Sequence, residues 1–115
     1  MIKIKRVTDP VDDTDGHRIL VDRLWPRGMK KSSLQMEQWM KDVAPSNALR
    51  QWYHRDPAKW DEFRDKYWKE LDSNPAAIAN LLQITKDGDL TLLFGSTERV
   101  YNNAAALKEY LDEKM

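Results

Sequence analysis

The segment LTLLF, residues 90–94, lies between Gly88 and Gly95 and carries no charge. A nearly all-apolar run of this length reads as a strand buried on both faces, which belongs in a parallel sheet. Parallel strands need crossover connections, so the rest of the chain must supply neighbouring strands and covering helices. With 115 residues it fits one domain spanning 1–115, burying roughly two-thirds of its unfolded surface.

The neighbours are legible. Residues 2–7, IKIKRV, alternate apolar and basic side chains with the period of a half-buried strand. TDPVDDTDG then reads as a solvated loop, and residues 18–24 as a second strand ended by Pro26 and Gly28. For residues 33–43, Ser32 and Gln35 suggest a helical turn, whereas EQWMKDV alternates; the reading is a short turn and a third strand near 37–42.

Helix signals follow. Ser46 is a good N-cap for a short helix carrying Leu49, Trp52 and Tyr53. Asp56-Pro57 and Asn74-Pro75 each place a cap before a proline. Trp60, Phe63, Tyr67 and Leu71 keep helical spacing, as do Ile78, Leu81 and Leu82, and later Ala104, Leu107 and Leu111. The order predicts a single-domain layered α/β fold with a small, mainly parallel central sheet flanked by helices.

Charge excludes more than it suggests. Nineteen basic and nineteen acidic residues cancel, so no global attraction to nucleic acid exists, and any anion site must be local. The first 31 residues lean positive, with eight basic against five acidic side chains. The chain has no cysteine, which removes disulfides and thiolate chemistry. MIKIKRV lacks the apolar core of a secretory signal, and no stretch approaches the roughly 18 apolar residues of a membrane span. A cytoplasmic protein is expected.

In parallel α/β sheets, ligands bind beyond the carboxyl ends of the strands. Here one such end is DRLWPRG, residues 22–28, where Asp22, Arg23, Trp25 and Arg27 follow an apolar run at once. Guanidinium forks beside an apolar strand end suit phosphate or carboxylate, with Asp22 able to hold one of them in place and Trp25 able to stack. The plainer alternative is a pair that ties down a loop. The other end is GSTERVYNNA, residues 95–104, where Ser96 and Thr97 could add hydroxyl contacts and Asn102 or Asn103 could simply cap a helix. Neither GxGxxG nor GxxxxGK[ST] occurs, and no cofactor is expected.

His17 and His54 are the only imidazoles, and without cysteine or a histidine pair one helical turn apart no metal site is expected. DDTDGH lacks the acid spacing of a calcium loop. Imidazole is the side chain best suited to proton transfer near neutral pH, so His54, in WYHRDP, is a candidate general acid or base, as is Asp22; a hydrogen bond across the turn is the ordinary role for such a histidine.

DGHRILVDRLWPRGMKK, WMKDVAPSNALRQW, and LTLLF followed by NNAAAL resemble, in order and spacing over nearly the whole chain, the YeaO-like family of small bacterial proteins of unknown function. The resemblance implies a fold and a bacterial setting but no reaction. By position it singles out Asp22, Arg23, Arg27, Lys41, Ser46, Arg50 and Asn102. It also marks departures at Thr97 and Glu98, where relatives tend to carry lysine and Asn or Asp, and the lack of a cysteine that distant relatives carry near the end of the last strand.

The leading expectation is an arginine-rich pocket of Arg23, Arg27, Lys41 and Arg50, with Ser96 and Thr97, holding a phosphate- or carboxylate-bearing small molecule. Hydrolase or transferase chemistry through His54 or Asp22 is one extension. The alternatives are an RNA or single-stranded nucleic-acid module with a basic stripe through Lys3, Lys5, Lys30 and Lys31, and a homodimer using Trp52, Trp60 and Trp68.

Overall fold

The computed structural model describes residues 1–115. Four strands, β1 (Ile2–Arg6), β2 (His17–Leu20), β3 (Gln38–Trp39) and β4 (Leu90–Phe94), form one sheet in the order β1-β4-β2-β3, and every neighbouring pair is parallel. The apolar run at 90–94 is thus flanked by a strand on each side, and all five of its residues are buried. Thr91, its one polar side chain, donates its hydroxyl to the Asp15 carbonyl at 2.7 Å, so the strand buries no unpaired side-chain polar group.

The helices are α1 (Asn47–Tyr53), α2 (Trp60–Asp72), α3 (Pro75–Asp87) and α4 (Asn103–Lys114). Their starts follow the expected chemistry. The Ser46 hydroxyl accepts the Leu49 N–H, and the Asn102 side chain accepts the Ala105 N–H. Asp56 caps a turn of 3-10 helix at Pro57–Lys59 that runs on into α2, so its N-cap signal was right and the first turn is merely tighter.

The two faces of the sheet are covered differently. Ile2, Ile19, Val21, Leu90, Leu92 and Phe94 pack with the helices into the main core. On the other side Val7, Leu20, Leu34 and Leu93 form a smaller cluster roofed by Trp25, Met29, Met36 and Trp39. This roof is mostly irregular chain, with Trp25 edge-on to Trp39 at 5.3 Å between centroids. The α/β prediction holds, with helices on one face and an aromatic-rich loop on the other.

Two sequence expectations need correction. The second strand ends at Leu20 rather than 24 and the third shrinks to two residues, because from Asp22 onward the chain turns away to build the roof. The acid-rich loop is not simply a solvated turn. Asp12 caps a 3-10 turn, and Asp15 is buried against Lys3 and Lys5, each at 2.9 Å, and against Arg18. No helix is long and apolar enough to cross a membrane.

Candidate functional site

Because all strands are parallel and β4 sits beside β2, the carboxyl ends of these two strands open at the same edge. The loops 21–28 and 95–102 therefore leave side by side, and between them and α1 lies a cavity of about 580 Å³. Asp22 joins the two ends. One carboxylate oxygen accepts the Gly95 N–H at 2.8 Å and the other accepts the Asn103 side-chain amide at 3.1 Å. Gly95 must be small here: a Cβ would sit 3.0 Å from that carboxylate and 3.3 Å from Pro26. Burial pushes the Asp22 carboxyl above its usual range, against the opposing pull of its two hydrogen bonds and of Arg50. Asp22 meets no guanidinium within ion-pair distance, so it binds strand end to helix instead of holding an arginine.

Arg23, Arg27, Arg50 and Arg55 all line the cavity, and Asp22 is the one acid among its lining residues. Arg23 donates Nε to the Pro45 carbonyl at 2.9 Å and Nη2 to the Ala44 carbonyl at 3.2 Å, which lays it along the wall. Arg50 touches Asn47 Oδ1 at 2.9 Å, Arg55 approaches Thr97 Oγ1 at 3.4 Å, and Arg27 is exposed. The arginines that do meet carboxylates, Arg18, Arg64 and Arg99, are elsewhere. Four guanidiniums around one hollow, none paired with a carboxylate, repel one another.

The cavity rim also carries backbone strain. His54 and Arg55 have φ of 44° and 56°, the left-handed region that L side chains disfavour, and both line the cavity. Such residues cluster at ligand sites, where the surrounding fold holds them in place. His54 ends α1 and its backbone N–H donates to the Arg50 carbonyl at 2.9 Å.

Of the residues expected from sequence, Asp22, Arg23, Trp25, Arg27, Arg50, His54, Ser96 and Asn102 meet at this cavity. Several have structural duties as well. Asn102 caps α4 and donates to the Glu98 carbonyl, Ser96 Oγ accepts the Glu98 N–H, and the Trp25 indole donates to the Met29 carbonyl. Lys41 is not brought there; its ammonium lies over the Trp39 ring at 4.2 Å. Thr97 is exposed beside the lining and touches it only through Arg55. Ser46 is occupied with Glu70, through both its N–H at 2.8 Å and its hydroxyl at 2.6 Å.

Arg55, Tyr53, Tyr101 and Asn103 also line the cavity and were not among the site residues read from sequence. For Arg55 the available signal was its place in WYHRDP, between a helix end and the next N-cap. No group of three or more acids, histidines or cysteines is arranged to hold a metal. Elsewhere, Lys3 and Lys5 fold onto Asp15, so they do not extend a basic stripe toward the arginines. Trp52, Trp60 and Trp68 are half-buried against the core, and Lys59, Lys66 and Arg64 lie over the rings of Trp52 and Trp68.

Residues 1–115 match, along their whole length, a protein family described as the inactive DUF488-N3 subclade. The chain belongs to this family. It is 41% identical over 110 residues to the uncharacterized protein YeaO of Escherichia coli K12, covering 96% of each chain. It is 39% identical over 111 residues to the uncharacterized proteins Rv3073c of Mycobacterium tuberculosis H37Rv and Mb3100c of Mycobacterium bovis, covering 96% of this chain and 93% of theirs. The YeaO-like resemblance read from the sequence therefore stands. No solved structure matches.

Proposed function

We propose that the protein is a binding module, without turnover, for an anionic small molecule carrying phosphate or carboxylate groups. The observation that carries this reading is the set of four arginines, two from the loop after β2 and two from α1 and the turn that ends it, around one cavity with no carboxylate paired to them. Assembling like charges costs folding free energy, and an anion bound among them recovers it through charge-assisted hydrogen bonds. The strained pair His54 and Arg55 at the same rim adds a second cost that a ligand site explains.

Binding is favoured over catalysis for two reasons. The family is described as inactive. Within the chain, both oxygens of Asp22 already accept hydrogen bonds that hold the fold, which leaves it poorly placed as a proton carrier. A nucleic-acid module ranks lower, since Lys3 and Lys5 are drawn to Asp15 and the net charge is zero.

Calorimetric titration of the full chain with inorganic phosphate at low salt tests the reading. Saturable one-site binding, weakened in Arg23→Ala and Arg27→Ala, is the expected outcome. Phosphate heats that are absent in the parent, or unchanged in both variants, would falsify it.

A further inference from the structure

The cavity lining is not a balanced set of donors and acceptors. Both Asp22 oxygens are engaged, and Asn102 uses its amide nitrogen on Glu98 and its oxygen on Ala105. The Tyr53 hydroxyl donates to the Tyr101 carbonyl at 2.9 Å, so it too is turned to the fold. Among the charged groups of the lining, what stays open is cationic. Arg23 retains Nη1, Arg50 and Arg55 each have a single side-chain contact, and Arg27 has none. Four arginines against one carboxylate leave a surplus of three positive charges in a chain whose overall charge is zero.

That surplus selects among anions. A carboxylate brings one negative charge, and a single phosphate brings about 1.5 to 2 at neutral pH. Linked phosphates match the surplus and gather enough acceptor oxygens within one hollow for several guanidinium forks at once. A second feature sits in the same lining: Leu24 is 58% exposed and Tyr101 39% exposed. The Tyr101 ring is backed by Trp60 at 5.4 Å between centroids, giving a firm apolar surface next to the charged hollow.

We infer that the cavity takes an organic diphosphate or longer oligophosphate, its phosphates among Arg23, Arg27, Arg50 and Arg55 and its organic end against Leu24 and Tyr101. This rests on the anion-binding reading above and narrows it to one ligand class. The α4 N-terminus, which reaches the cavity at Asn102 and Asn103, adds its positive dipole end on the same side.

The test is a set of four calorimetric titrations of the full chain, with inorganic phosphate, pyrophosphate, ADP and adenosine. Pyrophosphate is expected to bind at least about tenfold tighter than phosphate, ADP several-fold tighter again, and adenosine not at all. Tyr101→Ser and, independently, Leu24→Ser should bring the ADP-to-pyrophosphate affinity ratio close to one; two exposed positions guard against a single variant that folds poorly. Pyrophosphate binding no tighter than phosphate overturns the oligophosphate inference while leaving anion binding intact. A ratio near one in the parent chain, or unchanged in both variants, overturns the place given to the organic end. No binding by any of the three anions overturns both this inference and the reading beneath it.

Discussion

Arg27 lines the cavity, is exposed, and has no ion-pair partner, so changing it to alanine removes nothing the fold uses. It does remove repulsion. A hollow of about 580 Å³ is roughly 10 Å across, and two unit charges at that separation interact by about 0.4 kcal/mol in bulk water and about 0.8 kcal/mol at half that dielectric constant. Three other arginines repel Arg27 and Asp22 attracts it, so its loss at low ionic strength relieves about 1 kcal/mol. For a domain of this size that is an increase in melting temperature of about 4 °C. At physiological salt the Debye length of about 8 Å cuts the gain to roughly a third. Ligand binding moves the other way. Losing one charge-assisted hydrogen bond of about 1.5–3 kcal/mol weakens phosphate binding about 10- to 150-fold. Scanning calorimetry of parent and Arg27→Ala in low-salt buffer, with and without phosphate, reads both effects. The expected result is an unliganded variant at least as stable as the parent, with the phosphate-induced shift reduced. A variant that loses more than about 1 kcal/mol without ligand yet keeps its phosphate shift would make Arg27 a structural residue and refute the reasoning.

Other perturbations test the frame around the site. Gly16→Ala puts a Cβ 2.3 Å from the Asp89 carbonyl oxygen at a φ of +63°, and should cost about 2–5 kcal/mol in urea unfolding; a loss under about 1 kcal/mol would contradict the packing. Asp15→Asn leaves Arg18, 5% exposed, without its counter-ion, and a loss of about 3–5 kcal/mol is expected in the same assay, whereas a neutral result would mean that Lys3, Lys5 and Arg18 are held by something else. His17 bridges Glu37 at 2.9 Å and Asp87 at 2.8 Å, and these hydrogen bonds, Glu37 first, raise its pKa above the ordinary 6.5. Its stabilising contribution is therefore complete below pH 6.5 and lost as the pH rises through the folded value, so the melting temperature should fall across that window more in the parent than in His17→Gln; parallel curves would remove the bridge from the stability balance.

Much of this arrangement was legible because it is local. The glycine-bounded apolar run gave β4, capping residues placed the starts of α1 and α4, and polar residues following apolar strands marked both edges of the cavity. What escaped depends on contacts between distant segments. Asp15 reads as a loop acid because its partners Lys3 and Lys5 lie on β1 and reach its 3-10 turn only in the folded protein. The second strand looked longer because Val21 continues its apolar run, while the turn after it is imposed by Asp22 bonding to Gly95 across the sheet. Lys41 shares a sequence neighbourhood with the site but is held over Trp39, and Arg55 enters the cavity through a left-handed backbone that no side-chain pattern announces.

The most direct measurement is a crystal structure grown with pyrophosphate. The expected density is one bound anion at the carboxyl ends of β2 and β4, with guanidinium nitrogens of Arg23 and Arg27 and at least one of Arg50 and Arg55 within hydrogen-bond distance of its oxygens. A hollow containing only water, with those arginines turned to bulk solvent or paired to carboxylates, would contradict the claim that they form an anion site.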